Sequence, residues 1–197
     1  MSPSLRSLLR RVVSHVYVMD LGPGPVAVTE PKRPVEIERI GRAGVVRLVE
    51  STRAYLPAHA IAYLVERVLR GRAEVFVARV DGRVVHHTTM QFGPGEVSGL
   101  PVAPGDVFFG PSFTVADARG LRVFPHVAGV AFEHYRRQGA RRVVCFVNPD
   151  NDKSIHGLVR IGLRPDGEMS YLRALGVLRL AVTVTGACAT RAGTPGR

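Results

Sequence analysis

Val115-Ala116-Asp117-Ala118-Arg119-Gly120-Leu121-Arg122-Val123-Phe124-Pro125 is the stretch on which the fold turns. Ahead of it, residues 107–115 form an apolar, aromatic run that reads as a strand. Behind it, Phe124, Val127, Ala131 and Tyr135 recur at helical spacing, with Glu133, Arg136 and Arg137 elsewhere on the surface and Gly139 to end the helix. A strand that passes through a glycine turn into a helix makes an anion site. The first N–H groups of the helix lack internal acceptors, and the helix dipole adds partial positive charge there. Arg119 and Arg122 add full charges. Taken alone, the pattern also fits an ordinary strand–helix turn with surface arginines.

Downstream, residues 142–147 read as a short apolar strand and Asn148-Pro149-Asp150 as a turn. Residues 152–161 read as a short helix stopped by Gly162. Two strand-like stretches follow, 168–175 and 177–184, and then a small polar tail, 186–197, expected to fray. Upstream, the strand-like residues 74–80 and 83–90 are separated only by Asp81-Gly82. That dipeptide predicts a type I′ hairpin, which needs positive φ at both positions. Residues 92–105 are rich in Gly and Pro and read as a mobile loop, a candidate lid. Residues 43–55 and 58–69 read as helices; in the second, Ile61, Leu64, Val65 and Val68 share a face. Residues 35–40 alternate strictly, as a half-buried strand does. Gly22-Pro23-Gly24-Pro25, with Pro31 and Pro34, marks a linker, and residues 5–17 are compatible with one helix. The expected organisation is a helical appendage and linker over 1–33, the main domain over 34–185 and a disordered tail over 186–197. The order predicts an antiparallel half followed by a strand–helix–strand crossover.

A chain of 197 residues, 46% hydrophobic and 22% charged, suits one globular core. No apolar run approaches the ~20 residues of a membrane span. Arg6, Arg10 and Arg11 interrupt any signal-peptide core, so residues 1–13 read as a surface helix. The two cysteines, Cys145 and Cys188, suggest neither a disulfide framework nor a zinc site, and a cytoplasmic setting is expected. No other metal-ligand spacing stands out. The net charge of +11 comes almost wholly from arginine, since Lys32 and Lys153 are the only lysines. It reflects either an arginine-coding bias or an anionic partner such as a nucleotide, an acidic carrier protein, nucleic acid or anionic lipid. Nucleic acid is disfavoured, because no aromatic-rich basic stripe accompanies the charge.

Arg119-Gly120-Leu121-Arg122-Val123-Phe124-Pro125 resembles the pyrophosphate loop of GNAT acetyltransferases, in the variant Arg-Gly-Lys-Gly-Leu-Tyr-Pro. Asn151-Asp152-Lys153-Ser154, followed by Ile161-Gly162-Leu163, resembles the family's Asn-x-x-Ser/Ala segment and its later Gly-Phe. The ordered pair, one helix and one strand apart, is more specific than either motif, and the resemblance covers roughly residues 35–180. It implies an α/β (α+β) fold with a mixed, mostly antiparallel central sheet of about six to seven strands and helices on both faces. It also implies an acyltransferase that takes acetyl-CoA or another acyl-CoA as co-substrate. On this resemblance the backbone of Phe113, Thr114 and Val115 would bond the pantetheine amides and polarise the thioester carbonyl. The N–H groups of Arg119, Gly120, Leu121, Arg122, Val123 and Phe124 would hold the pyrophosphate. Asn151 and Ser154 would lie along the pantetheine arm, and the cofactor would wedge between the strands carrying Phe113 and Cys145. Two residues depart from the pattern. Arg122 replaces the second loop glycine, where its Cβ could crowd a phosphate or its side chain bind one. Leu158 stands where the family often has a tyrosine that protonates the thiolate; a thiol pKa near 8.5 would let the thiolate leave unaided.

Transfer to an amine needs the neutral amine, so a general base helps. His86 and His87 sit on a strand, one on each face, and His87 is the candidate base; a structural histidine is the competing reading. His126 falls in the first helical turn, nearer to phosphate or solvent than to proton chemistry, and His156 in the later helix. Asp106 reads as a turn residue, and no Ser-His-Asp triad is legible. The leading function is direct acyl transfer to a small-molecule or peptide amine. The alternatives are an acyl carrier protein as donor, docking through Arg136 and Arg137, and a non-catalytic acyl-CoA-binding module. Nothing transferable identifies the acceptor or the oligomeric state.

Overall fold

The computed structural model describes residues 9–53, 56–93, 95–174 and 178–186. It divides into two compact units. One comprises Asp20–Gly93 with Gly105–Val143, and the other Met1–Met19, Pro94–Pro104 and Val144–Arg197.

In the first unit, β2 (Glu36–Ile40), β3 (Ala73–Val80), β4 (Arg83–Phe92) and β7 (Asp106–Thr114) lie in the order β7-β4-β3-β2, every pair antiparallel. The β3–β4 hairpin closes through Asp81 (φ 51°) and Gly82 (φ 73°), the type I′ geometry that Asp-Gly predicts. A 3₁₀ turn, Arg42–Gly44, leads into α1 (Val45–Thr52); α2 runs over Ala58–Leu69 and α3 over Val123–Arg137. Alternation along β3 decides which helices cover which face. Val75 and Val77 form one cluster with Leu48 of α1 and Leu64 and Val68 of α2. Phe76 points the other way and meets Tyr135 of α3, ring centroids 6.4 Å apart. Helices therefore cover both faces, as expected. Asp106, read as a turn residue, is instead buried and ion-paired to Arg142 at 2.5 Å.

The second unit holds β9 (Arg164–Ala174), β10 (Leu178–Val184), β1 (Leu9–Asp20) except its last residue and β8 (Arg142–Val147) except its first two, in the order β10-β9-β1-β8. The expected N-terminal helix is thus a strand. β1 pairs antiparallel with β9 from Leu9↔Ala174 to Val18↔Arg164 and lies inside the sheet, not on an appendage. Val12, Val13, Val16 and Val18 suit a pleated surface better than a helix, and Val16 and Val18 are buried. Among the described residues the main strands number eight, against the six to seven expected. The expected mobile loop is another difference. Gly95–Val97 (β5) and Leu100–Val102 (β6) form a small hairpin that buries Val97, Leu100 and Val102. A Cβ at Gly99 would come within 3.1 Å of Val182, so the hairpin tip sits close on β10. α4 spans Asp152–Arg160. Cys188 and the tail beyond residue 186 lie outside the described residues.

Candidate functional site

The corner between β7 and α3 is built from four consecutive backbone decisions. The ladder ends where Val115 N donates to Val85 O at 3.0 Å. A 3₁₀ turn, Ala116–Ala118, follows, and Arg119 is extended (φ −67°, ψ 144°). Gly120 then takes φ 83°, and Arg122 the left-handed conformation (φ 61°, ψ 23°) as N-cap of α3. The first helical bond is His126 N to Arg122 O, 3.2 Å. The amides of Val123 and Phe124 precede it and have no acceptor within the helix, Pro125 has no N–H, and Arg122 contributes no side-chain cap. A Cβ built on Gly120 would meet nothing within 4 Å, so the loop is open on that side. The result is a fifteen-residue helix whose dipole and first donors end at an open, cationic loop. Left-handed backbone costs a non-glycine residue about 1 kcal/mol. Burial of Val123, Val127, Ala131 and Phe132 holds the helix in place against that cost.

Strand alternation settles which way the β7 backbone groups point. Val115 turns its amide to β4, and so does Phe113, two residues earlier; Ser112 and Thr114 turn theirs away from β4. The Thr114 carbonyl accepts from Arg119 Nε at 3.3 Å. Arg83 donates to Asp117 at 2.6 Å.

The segment read as a linker is a strap along α3. Val26 N donates to Glu133 Oε2 (2.9 Å), Thr29 O contacts His126 Nδ1 (2.9 Å), and Lys32 N donates to Leu121 O (3.0 Å). Between these points the backbone passes so close that a Cβ on Gly129 would lie 2.9 Å from Ala27 O. His126, half-buried, therefore anchors the strap through Nδ1. Glu133 gathers Arg136 (2.8 Å), Arg137 (2.7 Å) and the Val26 amide, which hold its carboxyl well below the usual range, Arg136 foremost. The two arginines suggested for carrier-protein docking are thus bound to Glu133.

His86 and His87 are fully buried on opposite faces of β4. His87 stacks on Phe113, centroids 6.3 Å apart, and desolvation lowers its pKa to about 4. His86 lies 6.0 Å from the Phe124 ring; desolvation first, then the nearby His87, lowers its pKa to about 3. His86 Nδ1 is 2.7 Å from Thr114 Oγ1 and its Nε2 is 3.3 Å from Thr88 Oγ1. Thr88 in turn bonds Ser112 Oγ. Sequence reading missed this chain and its neighbour, a bulge in which Thr89 alone faces Gly110 and Pro111. Gln91 fixes the bulge, donating to Gly110 O and accepting from Tyr63 OH, both at 3.1 Å. A Gly-Pro pair inside a strand is the signal that could have found it.

In the other unit, Asn151 is the N-cap of α4, its Oδ1 accepting from Ser154 N at 3.2 Å. Capping accounts for Asn151; the bond uses the Ser154 backbone N–H and does not involve its hydroxyl. His156 Nδ1 contacts Asp152 O of its own helix at 2.7 Å, and Leu158 is buried. Among the described residues, no group of His, Cys, Asp and Glu is placed to hold a metal ion.

No sequence-family model and no curated protein matches the chain. Solved structures do match in shape. An aminoglycoside acetyltransferase, AAC(6')-Iy, in complex with a coenzyme A bisubstrate analogue, is 18% identical over 66% of this chain and 90% of its own, with a TM-score of 0.51. A protein from Novosphingobium aromaticivorans described as a GNAT-family acetyltransferase is 17% identical over 86% of this chain and 67% of its own, with a TM-score of 0.55. The chain has the GNAT fold. It spans 65% of another match, a conserved protein of unknown function from Staphylococcus epidermidis, at 13% identity and a TM-score of 0.53. Within the GNAT fold of this chain, the loop from Arg119 to Arg122 occupies the strand-to-helix corner described above.

Proposed function

We propose that this protein transfers an acyl group from acyl-CoA to an amine, with the diphosphate of the cofactor held at the corner between β7 and α3. The observation that carries the reading is the open loop of Gly120 and Arg122 in positive φ, running into a helix start whose amides have no cap. The shared fold with acetyltransferases supports it. Arg119, Arg122 and Lys32 would add charge around the diphosphate. The pantetheine would bond Ser112 and Thr114, whose backbone groups turn away from β4, in preference to Phe113 and Val115. Transfer would be direct, the nitrogen attacking the thioester carbonyl within one ternary complex, with proximity and backbone N–H polarisation lowering the barrier. His87, with a pKa of about 4, is too weak a base to carry the reaction by storing a proton.

Calorimetric titration with acetyl-CoA is expected to show saturable binding at about 1–100 µM, and a panel of primary amines to release free thiol. No binding would reject the reading. Binding without thiol release from any amine would favour a module that senses acyl-CoA, the reading that buried Leu158 supports by leaving no proton donor at its position.

A further inference from the structure

We propose that Ser112, Thr88, His86 and Thr114 form a proton relay through the β4–β7 pair, which carries away the proton released when the acceptor amine is acylated. This rests on the acyltransferase reading above.

The four side chains make one unbroken line of hydrogen bonds: Ser112 to Thr88, Thr88 to His86 Nε2 at 3.3 Å, and His86 Nδ1 to Thr114 at 2.7 Å. The middle of the line is sealed, since Thr88 and His86 are fully buried; Ser112 is exposed and Thr114 half-buried. Such a line has two equivalent neutral arrangements. In one, Ser112 donates to Thr88, Thr88 to Nε2, and Nδ1–H to Thr114. In the other every donor and acceptor is reversed, and the imidazole has changed tautomer. Passing between them moves one proton from end to end without forming an imidazolium. Burial of His86 makes that neutrality a requirement, because a charged ring there would be strongly disfavoured. A purely structural reading explains the line poorly. Its neighbours on the same face are Phe124 and Phe76, and apolar residues at 86 and 88 would fill that space with no polar group to satisfy.

The ends of the line are Ser112 and Thr114, the two β7 residues whose backbone faces away from β4. The amine nitrogen bonds to the thioester carbon, the C–S bond breaks, and its electron pair leaves on sulfur. The ammonium proton passes to Ser112 Oγ, the Ser112 proton to Thr88, and the Thr88 proton to His86 Nε2. The His86 Nδ1 proton passes to Thr114 Oγ1, and the Thr114 proton to solvent water. Each group gains one proton and loses one.

Thr88→Val removes the hydroxyl and keeps the shape, and Thr88→Ser restores it. Acetyl-CoA affinity is expected to stay within about twofold in both, because no contact to the cofactor is lost. Thr88→Val should lower kcat at least about tenfold and abolish the solvent deuterium isotope effect on thiol release, and Thr88→Ser should recover both. Imidazole ¹⁵N spectra of the wild type should show a neutral His86 averaged between two tautomers, and those of Thr88→Val a single fixed one. If Thr88→Val does not fold, Ser112→Ala, at the exposed end, gives the same kinetic readout. Wild-type kcat and isotope effect in these variants, or one fixed tautomer in the wild type, overturn the relay alone. Wild-type protein that binds no acetyl-CoA overturns the acyltransferase reading, and the relay's role with it.

Discussion

Arg122 holds a backbone conformation that glycine takes more easily, at the point where the loop meets α3. Its backbone and its charge can be separated by substitution. Arg122→Gly relieves the left-handed strain and is expected to leave the urea midpoint unchanged or slightly higher. Arg122→Val, β-branched in the same conformation, should lose about 1–2 kcal/mol. If the guanidinium helps to hold a diphosphate, Arg122→Gly should nonetheless weaken acetyl-CoA severalfold in calorimetry. Equal affinity would assign the site to backbone amides alone. His86 and His87 show the same division between position and chemistry. Adjacent in sequence, they face opposite ways, and His86, not the expected His87, joins the line of hydroxyls. That choice depends on register, since Thr88 meets Ser112 only because β7 carries an extra residue at Gly110 and Pro111.

Two elements give tests of their own. In an isolated helix, Gly129→Ala would stabilise α3 by about 1 kcal/mol. Here the new methyl would stand 2.9 Å from Ala27 O, in a strap held at both ends by hydrogen bonds, so the expected sign is reversed. Gly129→Ala should destabilise by about 1–2 kcal/mol in urea titration and speed amide exchange at Lys32. A gain in stability would mean that the strap is not seated on α3. For β1, Val16→Asp places a charge at a fully buried position inside a sheet and should abolish cooperative folding. A helical appendage would tolerate it.

At the scale of the molecule, the two buried histidines set a pH dependence. Their folded pKa values, about 3 and about 4, lie below the 6.5 expected when unfolded. The unfolded chain therefore binds more protons as pH falls below 6.5, and stability drops through that window until the folded pKa values are reached. Above 6.5 the two groups contribute no slope. Each contributes up to about 1.4 kcal/mol per pH unit inside the window. Urea titrations from pH 7 to pH 4.5 should show the decline, and His86→Gln should make it shallower by one proton's worth. An equally steep curve in that variant would contradict the burial of a neutral His86. Much of this architecture was legible because its signals are local. Asp81-Gly82 fixes the hairpin, Gly139 ends α3, and helical spacing marks Phe124 to Tyr135. What escaped depends on distant partners. The valines of β1 fit either period in a short window, and the strand that decides between them, β9, pairs Val12 with Tyr171 far along the chain. The Asn151 and Ser154 motif was visible, and a helix cap explains its asparagine through the Ser154 backbone N–H.

Titration of ¹⁵N-labelled protein with coenzyme A tests most directly whether the corner between β7 and α3 holds a diphosphate. Saturable downfield shifts confined first to the amides of Gly120, Arg122, Val123 and Phe124 are the predicted result. Binding that leaves those four amides unmoved, or no binding at all, would contradict it.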